Sequence, residues 1–561
     1  MLARSTALEA LTSDPFDVVV IGGGITGAGC ALDAASRGFS VALLEKRDFA
    51  AGTSSRSSKL VHGGLRYLQQ FDVGLVREAL LERQLLVALA PHLVRPLPMV
   101  VPAFEGARLD RALGVGLNMY DVLSVDKLRR PRVLRGRGTD EGDGEEWSPD
   151  RHRTIDGDEV LELLPALASR EPTSGYLFYD CQTDDARLVL TVLGEAERIG
   201  AVCANRLEVD ELVEEGVRAR DTETGGDLVV RADNVINATG VWADRLGSRE
   251  LHDEAEVPDI RPSRGTHVTL ADADLPVRAG AIVPAGGGRT IFALPWLGRA
   301  LVGTTDNDYE GDIDYVSPAE DDIAYLLEAV NAHFGLELGL DDLCGGYAGV
   351  RPLISHGDSR KSVDISRKAE LYETSSGMIT ITGGKLTTFR RMARMAVDRV
   401  VERDGREAPC RTHEIPLGMA IEPDDLPRVE GVPEESYAAL AARYGYAAHD
   451  VLGVARERGE LAQPLVDGRP DLLAEVAFAA RREQARSVGD VLLRRTRLGL
   501  VAATDLLAGD GAPTEAVDRT ARTLGRELGW DEARVAVERA VLAHEAAAEG
   551  ILAGASIGTR P

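Results

Sequence analysis

The sequence predicts an α/β chain, α+β overall, that ends in a helical domain. Three observations lead to this prediction. A strand, a glycine-rich turn and a helix follow one another over 17–38, and an apolar strand runs into Ala-Thr-Gly at 235–240. Beyond Gly405 the glycine motifs cease, and Ala, Leu, Arg and Glu dominate. With 561 residues and 44% hydrophobic content, the chain is long enough for several domains around a large core.

The first strand, turn and helix carry a nucleotide-binding pattern. Residues 17–21, DVVVI, suit a strand that is buried on both faces. Gly22, Gly24 and Gly27 then satisfy G-x-G-x-x-G, which permits a tight turn, close approach of a pyrophosphate and close helix packing. A second strand ends at Glu45, where an acid accepts hydrogen bonds from a ribose hydroxyl. The pattern predicts a Rossmann-like dinucleotide site without choosing between FAD and NAD.

Two later segments favour FAD. The segment VINATGVWAD, which contains Gly240, resembles the return segment of FAD-dependent oxidoreductases, where the chain passes back beside the cofactor. Alternation over 378–382 predicts another strand, followed by a Gly-Gly turn and a helix with Thr387 or Thr388 as N-cap. The start of a helix carries partial positive charge, which stabilises the negative charge of a reduced flavin.

Composition excludes several classes of function. A net charge of -27 argues against nucleic acid, because phosphate backbones favour positive surfaces. Five cysteines are scattered singly without the spacing of zinc ligands, so we expect neither a disulfide framework nor a metal site. We find no apolar run of membrane-spanning length and no signal peptide, which predicts a cytoplasmic protein.

One loop gathers cations in this acidic chain. The stretch GTSSRSSKLVHGGLRYL, residues 52–68, places Arg56, Lys59, His62 and Arg66 within eleven residues. A focused positive pocket would let an acidic protein capture an anionic substrate. The first half of the stretch is rich in hydroxyl groups that suit a pyrophosphate and the flavin edge. These residues are Thr53, Ser54 and Ser58.

Several segments of the chain form an ordered set. They are DVVVIGGGITGAG, GTSSRSSKLVHGGLRYL, NATGVW, IFALPW followed by VGTTD, YAGVRPL and GGKLTTFR. Together they resemble the FAD-dependent glycerol-3-phosphate dehydrogenases. The resemblance runs from about 14 to 390 and continues more weakly through ARSVGDVLLRRTRLGL. It implies an FAD-binding Rossmann-like domain of the glutathione-reductase/amino-acid-oxidase type, with an inserted antiparallel-sheet substrate domain and a C-terminal helical domain.

Domain boundaries follow from these motifs. The oxidoreductase core is predicted at 14–404 and the C-terminal helical domain at 405–561. In the latter, GWDEARVAVERAVLAHEAAAEG predicts a helix with Asp531 as N-cap and with Val537 and Val541 four residues apart. Within the core, the FAD-binding parts are about 14–80, 175–245 and 345–404, and the substrate-domain parts are about 81–174 and 246–344.

The resemblance also implies the reaction. Glycerol 3-phosphate would be oxidised at C2 to dihydroxyacetone phosphate, with hydride passing to flavin N5 and electrons then to a quinone. An oxidase that uses oxygen and releases hydrogen peroxide is the alternative, and the core motifs do not separate the two. A binding protein without turnover would have no use for Arg66, Arg351 and Lys385 together, and these cations favour a phosphate over an amine substrate.

Residue roles are carried over from the matching segments. Arg66, Tyr67, Arg351 and Lys385 are predicted to bind substrate, since Arg presents a planar fork to phosphate and Lys a point charge. The predicted catalytic residues are His62, Arg351, His267 and Lys385, with His62 preferred as base over His267, a water or an Arg-assisted route. Asp306 matches the family without a role. The predicted cofactor residues are Gly22, Gly24, Gly27, Glu45, Thr53, Ser54, Ser58, Gly240, Gly384, Lys385 and Leu386.

A membrane contact is also predicted. Residues 112–125 are apolar on almost every face, and 126–137 carry six cations and one acid. An apolar element beside a basic cluster suits shallow docking on anionic lipid, as a quinone reductase requires. The alternative is a buried helix followed by a solvated basic loop. The expected location is therefore cytoplasmic or peripheral on the cytoplasmic face of the membrane, and a homodimer is left open.

Overall fold

The computed structural model describes residues 1–65, 72–105, 111–124, 151–247, 259–355, 368–509 and 511–551. Its strands are β1 Phe16–Ile21, β2 Val41–Leu44, β3 Leu60–Val61, β4 Arg95–Ala103, β5 Arg153–Asp156, β6 Ser174–Gln182, β7 Val202–Ala204, β8 Leu207–Val213, β9 Gly216–Asp221, β10 Asp227–Asn237, β11 Ile260–Ala271, β12 Gly280–Pro284, β13 Thr290–Trp296, β14 Arg299–Gly303, β15 Asn307–Asp308, β16 Leu343–Ile354, β17 Ala369–Glu373 and β18 Ile379–Gly383.

The helices of the first part of the chain are α1 Arg4–Ser13, α2 Ile25–Ser36, α3 Val73–Leu89, α4 Arg111–Ser124, α5 Gly157–Leu163, α6 Asp185–Arg198, α7 Ala243–Gly247, α8 Glu320–Phe334 and α9 Phe389–Asp404. Those that follow are α10 Glu434–Tyr444, α11 Ala448–Glu457, α12 Leu473–Arg482, α13 Leu498–Val501, α14 Ala503–Leu506, α15 Glu515–Leu528 and α16 Glu532–Ala548, with a π-helical turn at Asp490–Arg495.

The first sheet has the strand order β17-β18-β10-β1-β2-β7, and its pairings are parallel from β18 to β7. The three valines of β1, Val18, Val19 and Val20, are fully buried, as expected for a central strand covered on both faces. Helix α2 packs against α6 and α9 on one side of this sheet. The predicted α/β beginning of the chain is confirmed.

The second sheet has ten strands, and its pairings are antiparallel apart from the parallel pair β4–β12. Helix α8 covers one face, where Ile323, Leu326 and Val330 are fully buried. This sheet corresponds to the antiparallel domain that the resemblance implies. It also includes β6 and β16, however, which the approximate boundaries assigned to the FAD-binding parts. The alternation of a strand does not specify which sheet it joins, because pairing partners lie far away in sequence.

The region after Gly405 is helical, as predicted. Helices α10 to α16 surround an apolar cluster that includes Leu452, Val476 and Leu492. This cluster continues into the second sheet, because α13 lies against β16 and β11. The carbonyl oxygen of Leu500 accepts a hydrogen bond of 2.6 Å from the Thr269 hydroxyl. The helical region is therefore docked directly on the second sheet.

Two of the predicted helix starts can be compared with the structure. Asp531 is the N-cap of α16 and accepts a hydrogen bond of 2.7 Å from the Arg534 amide, which confirms that prediction. Thr388 precedes α9, but its hydroxyl donates to the Lys385 carbonyl at 3.4 Å and caps no amide of the helix. The start of α9 was thus located correctly, whereas the mechanism of its capping was wrong.

Residues 112–124 of the predicted apolar stretch lie in α4, which is neither fully buried nor fully exposed, and Val125 lies outside the described residues. Leu117 and Tyr120 are buried, whereas Val115, Met119 and Val122 are 62%, 40% and 74% exposed. The basic segment 126–137 lies outside the described residues. Among the helices that the structure describes, none combines the length and the hydropathy needed to span a bilayer.

Candidate functional site

A cavity of about 1080 Å³ lies at the carboxyl ends of the first-sheet strands and against the second sheet. Gly22 and Glu45 line it from the first sheet, and His267 and Arg351 line it from the second. Its size slightly exceeds the range of roughly 300–1,000 Å³ found for ligand sites. Carboxyl ends of parallel strands are also where ligands bind in open α/β sheets. Both size and position therefore suit a large ligand.

The glycine-rich turn has the geometry that a dinucleotide requires. Gly22 has a φ of +111°, and a Cβ there would approach the Ala238 carbonyl oxygen to 2.7 Å. A Cβ on Gly27 would lie 1.9 Å from the Gly22 carbonyl oxygen. Gly24 is the N-cap of α2, whose N-terminus therefore faces the cavity. These positions fit a phosphate-bearing cofactor because a side chain at the first and third would block the turn.

Glu45 is fixed by the backbone around it. Its two carboxylate oxygens accept hydrogen bonds from the amides of Gly23 at 2.7 Å and Arg47 at 2.8 Å. Burial raises the pKa of this carboxyl despite those bonds. Each carboxylate oxygen has acceptor capacity beyond the bond it makes, and the residue lines the cavity. Its chemistry therefore fits a ribose hydroxyl as donor.

The three predicted hydroxyl residues of the loop all line the cavity, and each makes a hydrogen bond within the protein. Thr53 donates to the Val350 carbonyl at 2.6 Å, which ties the loop to β16. Ser54 accepts from the Ile25 amide at 2.9 Å, at the first turn of α2. Ser58 lies 2.8 Å from Nε2 of His267. The loop is thus connected to the glycine turn and to two strands of the second sheet.

The charges of Arg56 and Lys59 are balanced by carboxylates. Lys59 is fully buried and donates to Asp185 at 2.8 Å and to the Ser55 carbonyl at 2.7 Å. Burial and the nearby Arg497 lower its pKa to about 7. Arg56 forms an ion pair with Glu549. These two cations of the loop therefore contribute less to a positive pocket than the sequence indicated.

His267 is held as a buried ring beside the cavity. It is 2% exposed and stacks on Tyr347, with ring centroids 4.8 Å apart and an interplanar angle of 11°. Burial and the positive charges of Lys59 and Arg351 lower its pKa well below the usual value. The imidazole is therefore neutral at physiological pH, with Ser58 at Nε2.

Arg351 is oriented by a small polar cluster at the end of β14 and on β16. Its guanidinium lies 3.3 Å from Asp306 and donates to the Thr304 hydroxyl at 3.0 Å. A Cβ on Gly265 would lie 2.5 Å from this guanidinium, so the glycine provides the space for it. Asp306, which had no role from the sequence, therefore pairs with Arg351 at the cavity wall.

Three more of the predicted residues lie in the turn after β18. Gly384, Lys385 and Leu386 all line the cavity. The Thr387 hydroxyl accepts from the His62 amide at 3.2 Å, so this turn is joined to the loop that bears His62. Gly240 also lines the cavity and accepts from the Thr382 hydroxyl at 3.1 Å. Arg66 and Tyr67 lie outside the described residues.

Sequence reasoning missed a carboxylate beside His62. Asp180 lines the cavity and accepts from the Tyr120 hydroxyl at 2.6 Å and from Arg83 at 2.7 Å. The Gly63 amide donates to the Tyr120 oxygen at 2.9 Å. In a chain with 91 acidic residues, one aspartate near the end of a strand carries no signal of its own.

The chain matches two described families and several known proteins. A family described as "FAD dependent oxidoreductase" matches residues 17–399, and one described as "C-terminal domain of alpha-glycerophosphate oxidase" matches residues 410–535. The glycerol-3-phosphate dehydrogenase of Mycobacterium leprae is 36% identical over 555 residues, covering 95% of this chain and 90% of that protein. Glycerol-3-phosphate dehydrogenase 2 of Mycobacterium bovis is 37% identical over 511 residues, covering 89% and 83%.

A solved structure is similar along nearly the whole chain. The glycerol-3-phosphate dehydrogenase of Bacillus halodurans, determined with FAD, superposes with a TM-score of 0.76 at 28% identity. The match covers 97% of each chain.

Proposed function

Since the chain belongs to the family of FAD-dependent glycerol-3-phosphate dehydrogenases, we propose that it oxidises sn-glycerol 3-phosphate at C2 to dihydroxyacetone phosphate. FAD, the cofactor of this family, would supply a two-electron acceptor for the hydride removed from C2. The observation that carries the proposal is the meeting of a glycine turn, a neutral His267 and an oriented Arg351 around one cavity.

For the cofactor, we propose that the glycine turn and Glu45 hold the ADP half. The N-terminus of α2, which lines the cavity, would face the pyrophosphate there, and Glu45 would accept a hydrogen bond from the ribose. The other half would lie along the turn after β18, beside Gly240. The residues assigned to these contacts are Gly22, Gly24, Gly27, Glu45, Thr53, Ser54, Ser58, Gly240, Gly384, Lys385 and Leu386.

For the substrate, we propose that Arg351 and Lys385 bind the phosphate, together with Arg66 and Tyr67. Arg351 presents a planar fork whose orientation is set by Asp306 and Thr304. Pairing with Asp306 fixes the guanidinium before substrate arrives, which reduces the conformational entropy lost on binding.

For the proton of the C2 hydroxyl, both His62 and His267 remain candidates because both line the cavity. His267 is favoured on structural grounds. Its low pKa keeps the ring unprotonated, and a bound phosphate dianion would raise that pKa and strengthen the base when substrate is present. We therefore propose His267 as the base, with His62 as the alternative.

An anaerobic titration of the purified holoenzyme tests the reaction. Glycerol 3-phosphate should bleach the oxidised flavin absorbance, and glycerol without phosphate should require a far higher concentration. Bleaching by an amino acid, with none by glycerol 3-phosphate, would overturn the proposal.

For the electron acceptor, we propose a quinone. One wall of the cavity carries a group of apolar side chains that suits an aromatic acceptor better than it suits a phosphate. They are Leu65, Val101, Leu113, Phe178, Ile282 and Phe292. Steady-state turnover with a soluble quinone should exceed turnover with oxygen, and peroxide should form in less than stoichiometric yield. Peroxide in a one-to-one ratio with product would support the oxidase alternative instead.

We further propose that the protein reaches this acceptor as a peripheral protein on the cytoplasmic face of the membrane, through α4. The exposed Val115, Met119 and Val122 recur at helical spacing on one face, and a basic segment follows in the sequence. Flotation with anionic liposomes should show binding at low salt that weakens at high salt. Val122→Asp should abolish it, whereas Val537→Asp on the exposed face of α16 should not. Absence of binding at either salt concentration would end this proposal.

A further inference from the structure

The loop that bears the proposed cofactor contacts is held by the C-terminal domain. This cofactor loop, residues 45–59, connects β2 to β3 and includes Glu45, Thr53, Ser54 and Ser58. Three arginines that follow one another closely in the motif LLRRTRLG reach it from the C-terminal domain. They are Arg494, Arg495 and Arg497, which we call the arginine cluster.

The first contact lies at Asp48, early in the cofactor loop. Asp48 is fully buried and accepts from Arg494 at 2.5 Å and from Arg495 at 2.7 and 2.9 Å. Arg495 is also fully buried and donates to the Glu483 carbonyl at 2.8 Å. Charge-assisted bonds of this length are roughly twice as strong as neutral ones, and a buried carboxylate without them would be costly.

The second contact lies at the other end of the cofactor loop. Arg497 donates to the Ser55 carbonyl and to Asp185, both at 2.8 Å. Asp185 in turn accepts from the amide and the hydroxyl of Ser57, at 3.0 and 2.7 Å. The next residue, Ser58, contacts His267. Hydrogen bonds thus connect Arg497 through Asp185 to Ser57, and the next residue along the chain contacts the base proposed above.

The backbone of the arginine cluster is unusual in two ways. Asp490–Arg495 forms a π-helical turn, and Arg497 has a φ of +68°. Both conformations are uncommon for residues with side chains and persist only where surrounding contacts fix them. Here the fixed arrangement directs neighbouring guanidinium groups to the two ends of one loop.

We propose that Arg494, Arg495 and Arg497 are positioning residues that keep the cofactor loop in its FAD-binding conformation. The proposal rests on the assignment of this loop to the cofactor under the proposed function. It gives the C-terminal domain a role in cofactor binding, although the domain contributes no residue to the predicted cofactor contacts. Substitutions in the arginine cluster should weaken FAD binding while the protein remains folded.

The test compares FAD affinity and fold stability in the full-length protein. After removal of FAD, the dissociation constant is measured by titration with FAD, and visible circular dichroism reports the environment of the rebound flavin. For Arg497→Lys and Arg495→Lys, which keep the charge but lose the fork, we expect the dissociation constant to rise about tenfold or more. Arg526→Lys, which alters an exposed C-terminal ion pair with Glu460, is the matched control and should leave affinity unchanged.

A second variant covers the case in which a buried arginine change prevents folding. Ser57→Ala removes the hydroxyl that donates to Asp185 and accepts from the Lys59 amide, and it leaves the buried charges in place. It should raise the dissociation constant by a few-fold and alter the visible circular dichroism.

One result would overturn the proposal. If these variants lower the melting temperature of the apoprotein while FAD affinity and the flavin spectrum stay at wild-type values, the arginine cluster is only structural and the proposal is overturned. The measurement uses no glycerol 3-phosphate. A weaker affinity for FAD in the variants, combined with failure of glycerol 3-phosphate to bleach the wild-type flavin, would refute the proposed function and leave this inference standing.

Discussion

Arg351 is the clearest single residue for a test of the substrate site. Arg351→Ala should raise the glycerol 3-phosphate concentration needed for half-maximal flavin reduction about tenfold or more, because a forked phosphate contact is lost and Asp306 would face the dianion alone. It should also slow reduction at saturation without releasing FAD. Rapid-mixing absorbance measurements check both effects. Arg261→Ala is the control, because Arg261 on β11 forms an ion pair with Asp308. Release of FAD by the Arg351 variant would mean that Arg351 is structural.

The protonation state of His267 makes a separate prediction at this scale. Burial, Lys59 and Arg351 hold its pKa well below 6.5, so the free enzyme carries a neutral ring throughout the neutral range. The second-order rate constant for flavin reduction should therefore show no loss from His267 protonation between about pH 6.5 and 8. His267→Gln should lower that constant by about 10²–10⁴-fold. A smaller loss than that of His62→Gln would assign the base to His62.

Individual residues differ in how far the sequence could predict them. Gly22 and Gly27 were predictable because the constraints on them arise within one turn of the chain. The partner of Lys59 was not, because Asp185 lies 126 residues away and is one of 91 acidic residues. The role of Asp306 depended in the same way on the pairing of β16 with β11, which brings Arg351 beside it.

At the scale of elements, α4 exposes apolar side chains on one face and contacts the backbone next to His62 with the other. Tyr120, on its inner face, accepts from the Gly63 amide and donates to Asp180. Tyr120→Phe removes both bonds at almost constant volume, so the Gly63 backbone loses its closest hydrogen-bond partner. We expect slower flavin reduction with little change in melting temperature. Tyr309→Phe, which removes a hydroxyl contact with the Asp312 carbonyl in another loop, is the control. Equal rates of flavin reduction in the two variants would show that α4 does not influence the reaction.

The sequence predicted elements better than the faces they bury. The helix α16 and its Asp531 cap were predicted correctly from local signals. The repeat of Val537 and Val541 nevertheless points outwards, at 49% and 41% exposure, whereas Glu538 and Glu545 are buried. Glu545 can occupy the inner face because Arg494 and Arg47 of other elements lie beside it, and a helical periodicity analysis cannot include those arginines. Glu538 pairs with Arg534 of the same helix.

At the scale of the whole molecule, positive and negative side chains are paired where the core meets the C-terminal domain, although the net charge of the chain is -27. Arg47 and Arg56 of the core face Glu545 and Glu549 of α16 and its C-cap. Burial and the charge of Glu549 raise the pKa of Glu545 to about 7, whereas Arg56 and Arg47 hold the pKa of Glu549 below its usual value despite burial. Glu545 is therefore about half protonated at neutral pH, whereas Glu549 is ionised.

This asymmetry predicts opposite effects for two similar substitutions. Between about pH 4.5 and 7 the folded protein retains the Glu545 proton that the unfolded chain releases, so this group lowers stability as pH rises. Glu545→Gln removes this pH-dependent loss. The effect of the substitution on the free energy of unfolding should therefore be about 1–3 kcal/mol more stabilising at pH 8 than at pH 4.5. Glu549→Gln should destabilise it at pH 8, because Arg56 loses a buried anionic partner. Melting temperatures of both variants at pH 4.5, 6, 7 and 8 check the signs. A difference between Glu545→Gln and wild type that stays constant with pH would show that Glu545 does not titrate in this window.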